Sequence, residues 1–208
     1  MDYVIVVQLH KEDSLKDVIQ LLSDVYVIGE DCHMFIMSNN ADQLIELREN
    51  IEEIQESTPY YTIEIFLNST SRLSTSLNRF NSNTRLVWID SNYIAEPYVI
   101  HELVVASLNL RGYGFIFPYC EQDKQYRISD IYEENPSIIE FQPDTEQKSA
   151  VDIDICSTDM FCTTINNYLI DNTSSLIRGI ALRRLGFRNI LLTDIIVEKK
   201  ENKNDTDN

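Results

Sequence analysis

Glycine is scarce in this chain, five in 208 residues, and neither GxGxxG nor GxxxxGK[ST] occurs anywhere. Both motifs use glycines to bring backbone amides against phosphate, so a Rossmann dinucleotide turn and a P-loop are excluded. GxSxG is missing as well, which removes the nucleophile elbow of a Ser-His-Asp hydrolase. Basic residues are few: 17 Lys and Arg against 34 Asp and Glu give a net charge of -17 and a pI near 4.4. Such a surface repels phosphate backbones, so general nucleic-acid binding is not expected. A single diphosphate ligand would need local neutralisation by a metal or a few basic side chains. No apolar run approaches the roughly 18–20 residues of a membrane span. Met1-Asp2-Tyr3 leads into a strand-like run without a basic stretch, so no secretory signal and a cytoplasmic location are expected. Cys32, Cys120, Cys156 and Cys162 are too scattered for a zinc site and too few for a disulfide scaffold. Buried free thiols follow. His10, His33 and His101 show no ligand spacing such as HExxH, and His101 reads as structural.

What is present is an apolar content of 43%, enough for one sizeable core. Tyr3-Val4-Ile5-Val6-Val7 reads as a strand covered on both faces. Ser14 can cap a helix through Leu22. Met34 to Met37 is a second strand ending in Ser38-Asn39-Asn40, followed by a helix with Leu44, Leu47, Ile51 and Ile54 on one face. Tyr61 to Leu67 is a third, ending at Asn68, with a polar helical segment over about 70–80. Leu86 to Ile89 is a fourth, and a helix follows from about Pro97 to Leu110. Strands separated by helical patterns predict βαβ units and a mostly parallel sheet, whose ligands sit beyond the carboxyl ends of the strands. Later, residues 112–117, 138–142, 150–156 and 189–197 read as strands, and 119–136 as an irregular loop. A helix over 174–185 ends at Gly186, a C′ glycine. Asp152-Ile153-Asp154 reads as a solvent-facing strand face. Residues 198–208, charged and without apolar residues, read as a disordered tail.

Asp90-Ser91-Asn92 ends the fourth strand. Alternation puts residues 90 and 92 on one side of the chain, and two oxygen ligands there suit a hard divalent cation. An Asx turn is the other reading, since Asp, Ser and Asn are ordinary turn residues. The polar clusters Gln8-Leu9-His10, Ser38-Asn39-Asn40, Asn68 and Asp90-Ser91-Asn92 would share one rim of the sheet.

In this order the elements resemble the A-type glycosyltransferases, the nucleotide-diphospho-sugar transferases. In that family a second strand ends in a short Asn/Asp/Ser motif, as Ser38-Asn39-Asn40-Ala41-Asp42 does here. A third ends in Asn and precedes a helix with a late Asn, similar to Asn68 and Asn78. A fourth ends in Asp-x-Asp before a Pro and a helix, similar to Asp90-Ser91-Asn92 before Glu96-Pro97. Ile180 to Arg188 and Ile195 to Val197 resemble the late helix and closing strand. The resemblance implies a single α/β domain over 1–197, with a Rossmann-like nucleotide-binding half (1–110) and an acceptor-side half (111–197). It implies Mn²⁺ or Mg²⁺ on Asp90 and Asn92, and a nucleotide-sugar contacted by Asn39, Asp42, Asn68, Arg72 and Asn78. Arg72 and Asn78 read equally as surface residues. Three positions depart from the pattern: Asn92 replaces the second metal acid, Ser174-Ser175 the acidic pair that often holds the base, and Glu198-Lys199-Lys200 the late ligand. Asp171 and Asp159 are then the base candidates. The expected function is metal-dependent transfer of a sugar from a nucleotide-sugar to an acceptor. The alternative is an inactive relative kept as a binding or structural module.

Overall fold

The structure is a computed structural model. It describes residues 3–25, 32–50, 52, 55–56, 61–67, 70–94, 96–121, 127–128, 138–141, 148–155, 159–171 and 179–200. The first half alternates strand and helix, apart from the short strand Tyr93–Ile94, which follows another strand. It contains β1 (Tyr3–Leu9), α1 (Leu15–Val25), β2 (Cys32–Ser38), α2 (Ala41–Glu49), β3 (Tyr61–Leu67), α3 (Thr70–Leu77), β4 (Arg85–Asp90), β5 (Tyr93–Ile94) and α4 (Pro97–Asn109). The second half is richer in strands: β6 (Tyr113–Cys120), β7 (Arg127–Ile128), β8 (Ile138–Phe141), β9 (Lys148–Ile155), β10 (Met160–Thr164), α5 (Ile165–Asp171), α6 (Ile180–Arg184) and β11 (Arg188–Lys199).

All eleven strands form one mixed sheet, with the order β3-β2-β1-β4-β10-β6-β11-β9-β7 along its main path. β1 pairs in parallel with both β2 and β4, and β2 with β3. β10 enters antiparallel between β4 and β6, and β6 runs parallel to β11. The alternation of β-branched and large residues builds two core layers. Ile5, Val7, Met34, Ile36, Val87 and Ile89 face one side and pack with α1, α2 and α4 through Val18, Leu47 and Leu103. Val4, Val6, Phe35, Met37, Leu86 and Trp88 face the other and pack with α3, α5 and α6 through Leu73, Leu77, Tyr168 and Leu182. Each fully buried side chain of this size contributes about 1.5–3 kcal/mol, so a charge at Val6 or Ile36, both 0% exposed, would break the sheet's centre.

Local chemistry sets the helix ends. Ser14 and Asp17 form a reciprocal cap, with Asp17 N–H donating to Ser14 Oγ at 3.2 Å and Ser14 N–H to Asp17 Oδ2 at 3.1 Å. α6 ends in a Schellman motif: Phe187 N–H donates to the Leu182 carbonyl, Gly186 N–H to that of Arg183, and Gly186 takes φ 89°.

Several expectations need correction. Tyr119 and Cys120 complete β6, and Arg127–Ile128 form β7, where a loop was expected. The central pair β10 and α5 was not expected at all. The late helix cannot run from residue 174 through 185, because Gly179 lies just before it at φ 87° and the helix starts at Ile180; residues 174–178 lie outside the described residues. Asp152 does not face solvent. It is 4% exposed and accepts from Arg183 Nη1 at 2.6 Å. Glu198 and Lys199 belong to β11 and pair with β5; residues 201–208 lie outside the described residues. Cys32, Cys120 and Cys162 are buried and in no disulfide; Cys156 lies outside the described residues.

Candidate functional site

Strand order reverses at β1, with β2 on one side and β4 on the other, which is the switch point where α/β sheets open a crevice. Register decides what lines it. Gln8 of β1 is level with Asp90 of β4, so His10 and Asn92, two residues further on, stand side by side. β10 runs the opposite way with Met160 level with Ile89, which brings Asp159 beside Asp90. The Asp90 amide donates to the Asp159 carbonyl at 3.1 Å. Three strands thus deliver His10, Asp90 and Asp159 to a cavity of about 440 Å³ that Trp88 and Asn39 also line.

Asp90 is the chemical centre. The residue is 7% exposed, and His10 Nε2 lies 2.8 Å from each of its carboxylate oxygens. The Asn92 amide N–H donates to Asp90 Oδ1 at 2.9 Å, so the Asx turn is present alongside the cavity-facing carboxylate. Asn92 Nδ2 lies 3.0 Å from His10 Nε2. A ring nitrogen carries at most one proton, and a half-turn of the amide exchanges its oxygen and nitrogen.

The loop after β1 is held rigidly. His10 N–H donates to Asp13 Oδ2 at 2.8 Å, and Ser91 Oγ bonds Asp13. Gln43 of α2 donates to the carbonyls of His10 at 3.0 Å and Asp13 at 2.8 Å, and is itself fixed by Ser38 Oγ. Beyond β11, Lys200 N–H donates to the Asn92 carbonyl at 2.7 Å, and its Nζ lies 3.8 Å from Asp13 Oδ1. Lys11 also lines the cavity. Two cations therefore stand by the site in a strongly acidic chain.

Among the described residues, no group of three or more His, Cys, Asp or Glu side chains could hold a metal ion. The donor set is instead one carboxylate, one imidazole and one amide. These are oxygen and nitrogen ligands of the kinds that Mn²⁺ accepts, the carboxylate at 2.8 Å and the amide nitrogen at 3.0 Å from the one imidazole nitrogen. The residues fit such a cation.

No protein-family model and no curated sequence matches the chain. Solved structures do. GalNAc-T7 with UDP, GalNAc and Mn²⁺ aligns at TM-score 0.59 and 9% identity over 99% of this chain and 44% of its own. The mannosyltransferase PcManGT from Pyrobaculum calidifontis, in complex with GDP-Man and Mn²⁺, aligns at 0.59 and 9% over 97% of this chain and 57% of its own. S. aureus TarS 1-349 in complex with UDP-GlcNAc aligns at 0.55 and 9% over 100% of this chain and 61% of its own. The fold is that of the A-type glycosyltransferases. The chain spans 44 to 61% of the length of these neighbours.

Within that glycosyltransferase fold the expected residues fall into four groups. Asp90, Asn39 and the exposed Asp159 line the cavity, and Asn92 joins them through His10. Asp42, Arg72 and Asn78 are exposed and do not line it. Asp42 lies in the first turn of α2, its N–H donating to Asn40 Oδ1 at 3.1 Å. Arg72 lies in the first turn of α3. Asn78 was expected inside that helix but falls just past its end at Leu77, so its poor helix propensity carries no functional meaning. Asn68 lies outside the described residues. Asp171 is the clearest departure. It is 1% exposed, and its Oδ2 and Oδ1 accept the amides of Gly179 at 2.8 Å and Ala181 at 3.2 Å. That carboxylate caps α6 from a distance. His10 was expected on the same rim as Asp90 but not singled out as a site residue, and Lys200 was named only as a departure at the late ligand position; topology brings both to Asp90, Asn92 and Asp13.

Proposed function

We propose that this protein binds a nucleotide-sugar through a divalent cation at Asp90 and transfers the sugar to an acceptor. The observation that carries the reading is the Asp90 carboxylate, nearly buried yet facing a cavity at the switch point of a glycosyltransferase fold, with His10 Nε2 2.8 Å from both its oxygens. Asp90 and Asn92 hold the cation, which, when bound, supplies electrostatic stabilisation to the diphosphate leaving group. Asn39 meets the nucleoside side of the donor, and Lys11 and Lys200 add positive charge where the chain otherwise repels a diphosphate. Asp159, exposed at the same rim, is the remaining candidate to take the proton of the acceptor hydroxyl as its oxygen bonds the sugar carbon and the diphosphate leaves.

One observation favours a second reading, an inactive binding module: Asp171, the other base candidate, is committed to the amides of Gly179 and Ala181. Calorimetric titration with a panel of nucleoside diphosphates, with Mn²⁺ or with chelator, tests the shared part. Binding with metal, much weaker binding without it, and a loss of about tenfold or more (about 1.4 kcal/mol) in Asp90→Ala are expected. No nucleotide binding in either condition would refute both readings. Binding without turnover of any donor, unchanged by Asp159→Asn, selects the binding module.

A further inference from the structure

We propose that His10 is a direct ligand of the divalent cation, supplied from the end of β1. This rests on the cation site of the preceding section.

The first argument is distance. Two donors at right angles on a cation with bonds of 2.0–2.2 Å stand about 3 Å apart. His10 Nε2 lies 2.8 Å from each Asp90 oxygen, a direct hydrogen-bonded pair, and 3.0 Å from Asn92 Nδ2, which a half-turn of the amide exchanges for its oxygen. These separations are short enough for all three groups to meet one ion, and the imidazole faces the carboxylate through the nitrogen that would bind.

The second is substitution within the chain. Among the described residues 198–200, none is placed as a neutral or anionic donor toward Asp90. Glu198 is exposed on the strand, Lys199 Nζ sits 5.0 Å from the centre of the Tyr93 ring, and Lys200 is tied by its backbone to Asn92 and approaches Asp13. A carboxylate and an amide alone form a weak site, because replacing the second acid by Asn92 removes one charge. An imidazole restores a third donor.

The third is rigidity. Metal ligands work when their orientation is fixed by outer partners. The His10 backbone is fixed at both its amide and its carbonyl, by Asp13, Ser91 and Gln43, while the ring remains 37% exposed toward the cavity side.

An imidazole in the ligand set has a consequence for metal choice. Mg²⁺ prefers oxygen donors and keeps its waters, whereas Mn²⁺ and softer ions accept nitrogen. The site should therefore discriminate for Mn²⁺ over Mg²⁺ through His10.

The test uses the full chain and metal alone. Mn²⁺ affinity is read from the electron paramagnetic resonance of the free ion, with Mg²⁺ as competitor, for wild type, His10→Ala and Asp90→Ala. Thermal melting of each variant without metal controls for folding. A second measurement follows ¹⁵N-histidine-labelled protein during ¹¹³Cd²⁺ addition. His10→Ala is expected to lose about tenfold or more in Mn²⁺ affinity and much less in Mg²⁺ affinity. Nε2 of His10, but not of His33 or His101, is expected to show coupling to cadmium. Equal Mn²⁺ affinity in wild type and His10→Ala, or no coupling at His10 while cadmium binds in an Asp90-dependent way, overturns the inference and leaves the proposed function standing. Absence of any Asp90-dependent cation binding overturns both.

Discussion

Replacing Asp171 by Ala should cost stability, not donor affinity. The carboxylate is 1% exposed and takes two amides at the start of α6, from Gly179 at 2.8 Å and Ala181 at 3.2 Å. Hydrogen bonds to a charged group contribute about 1.5–3 kcal/mol each, and the longer one belongs at the low end. Loss of a helix N-cap costs about 0.5–2 kcal/mol on its own. The cap is made by these same two bonds, which at the low end give about 3 kcal/mol, or a fall in Tm of roughly 6–12 °C for a domain of this size. Asp171→Asn keeps one oxygen and should lose about half as much. Urea unfolding followed by circular dichroism gives the free energy, and calorimetry with a nucleoside diphosphate and Mn²⁺ gives the affinity. A loss below about 0.5 kcal/mol in Asp171→Ala, the size of an ordinary surface change, would refute the capping role and return Asp171 to the catalytic candidates.

Arg183→Met should destabilise by about 3 kcal/mol, because it leaves the 4% exposed Asp152 without its 2.6 Å partner; denaturant unfolding should show most of the loss recovered in the double variant with Asp152→Leu. Stability should fall on acidification through the cluster of His33, Glu64 and Arg79. Burial, with the nearby Arg79 charge, lowers the His33 pKa below its ordinary 6.5, and although burial alone would raise Glu64, bonds from Arg79 and His33 bring it below its ordinary 4.5. Both folded values lie below the unfolded ones, so the unfolded chain binds more protons and stability is lost as pH falls from about 6.5 and again below about 4.5. His33→Gln should flatten the upper part of a Tm-versus-pH curve, and an unchanged curve would contradict this. Burial pushes the Cys162 thiol up to about 12 and raises Cys32 strongly as well. Iodoacetamide at pH 8 should label neither in the native protein and both in urea, as read by peptide mass mapping; rapid native labelling would place these thiols elsewhere.

The first half of the fold was legible because each strand there is a short β-branched or aromatic run and each helix an amphipathic one. Tyr61–Leu67 was read to the residue, the other long strands within a few positions, and the two-residue β5 was missed. The second half resisted for physical reasons. β10 and α5 read Met-Phe-Cys-Thr-Thr-Ile-Asn-Asn-Tyr-Leu-Ile-Asp, with no turn residue between strand and helix and with Asn167 inside a seven-residue helix. Asn167 is there because its amide donates to the Tyr113 carbonyl at 3.1 Å, a tertiary bond that local propensity cannot announce. Asp152 looked solvent-facing because its partner Arg183 is 31 residues away. The same limit applies at the site. Asp90 and Asn92 stand out as the polar end of a buried strand, but His10 lies 80 residues from Asp90. It becomes a neighbour only through the parallel register of β1 on β4. Spacing rules for metal ligands search within a few residues and pass over such a pair.

The central claim is that a cation at Asp90 holds a nucleotide diphosphate over the ends of β1 and β4. Crystals grown with Mn²⁺ and a UDP- or GDP-sugar, measured for anomalous scattering at manganese, test it directly. The account predicts one manganese peak within bonding distance, about 2.2 Å, of an Asp90 oxygen, with diphosphate oxygens completing its shell inside the cavity lined by Trp88 and Asn39. A nucleotide bound elsewhere on the sheet, or bound in this cavity with no manganese at Asp90, would contradict it.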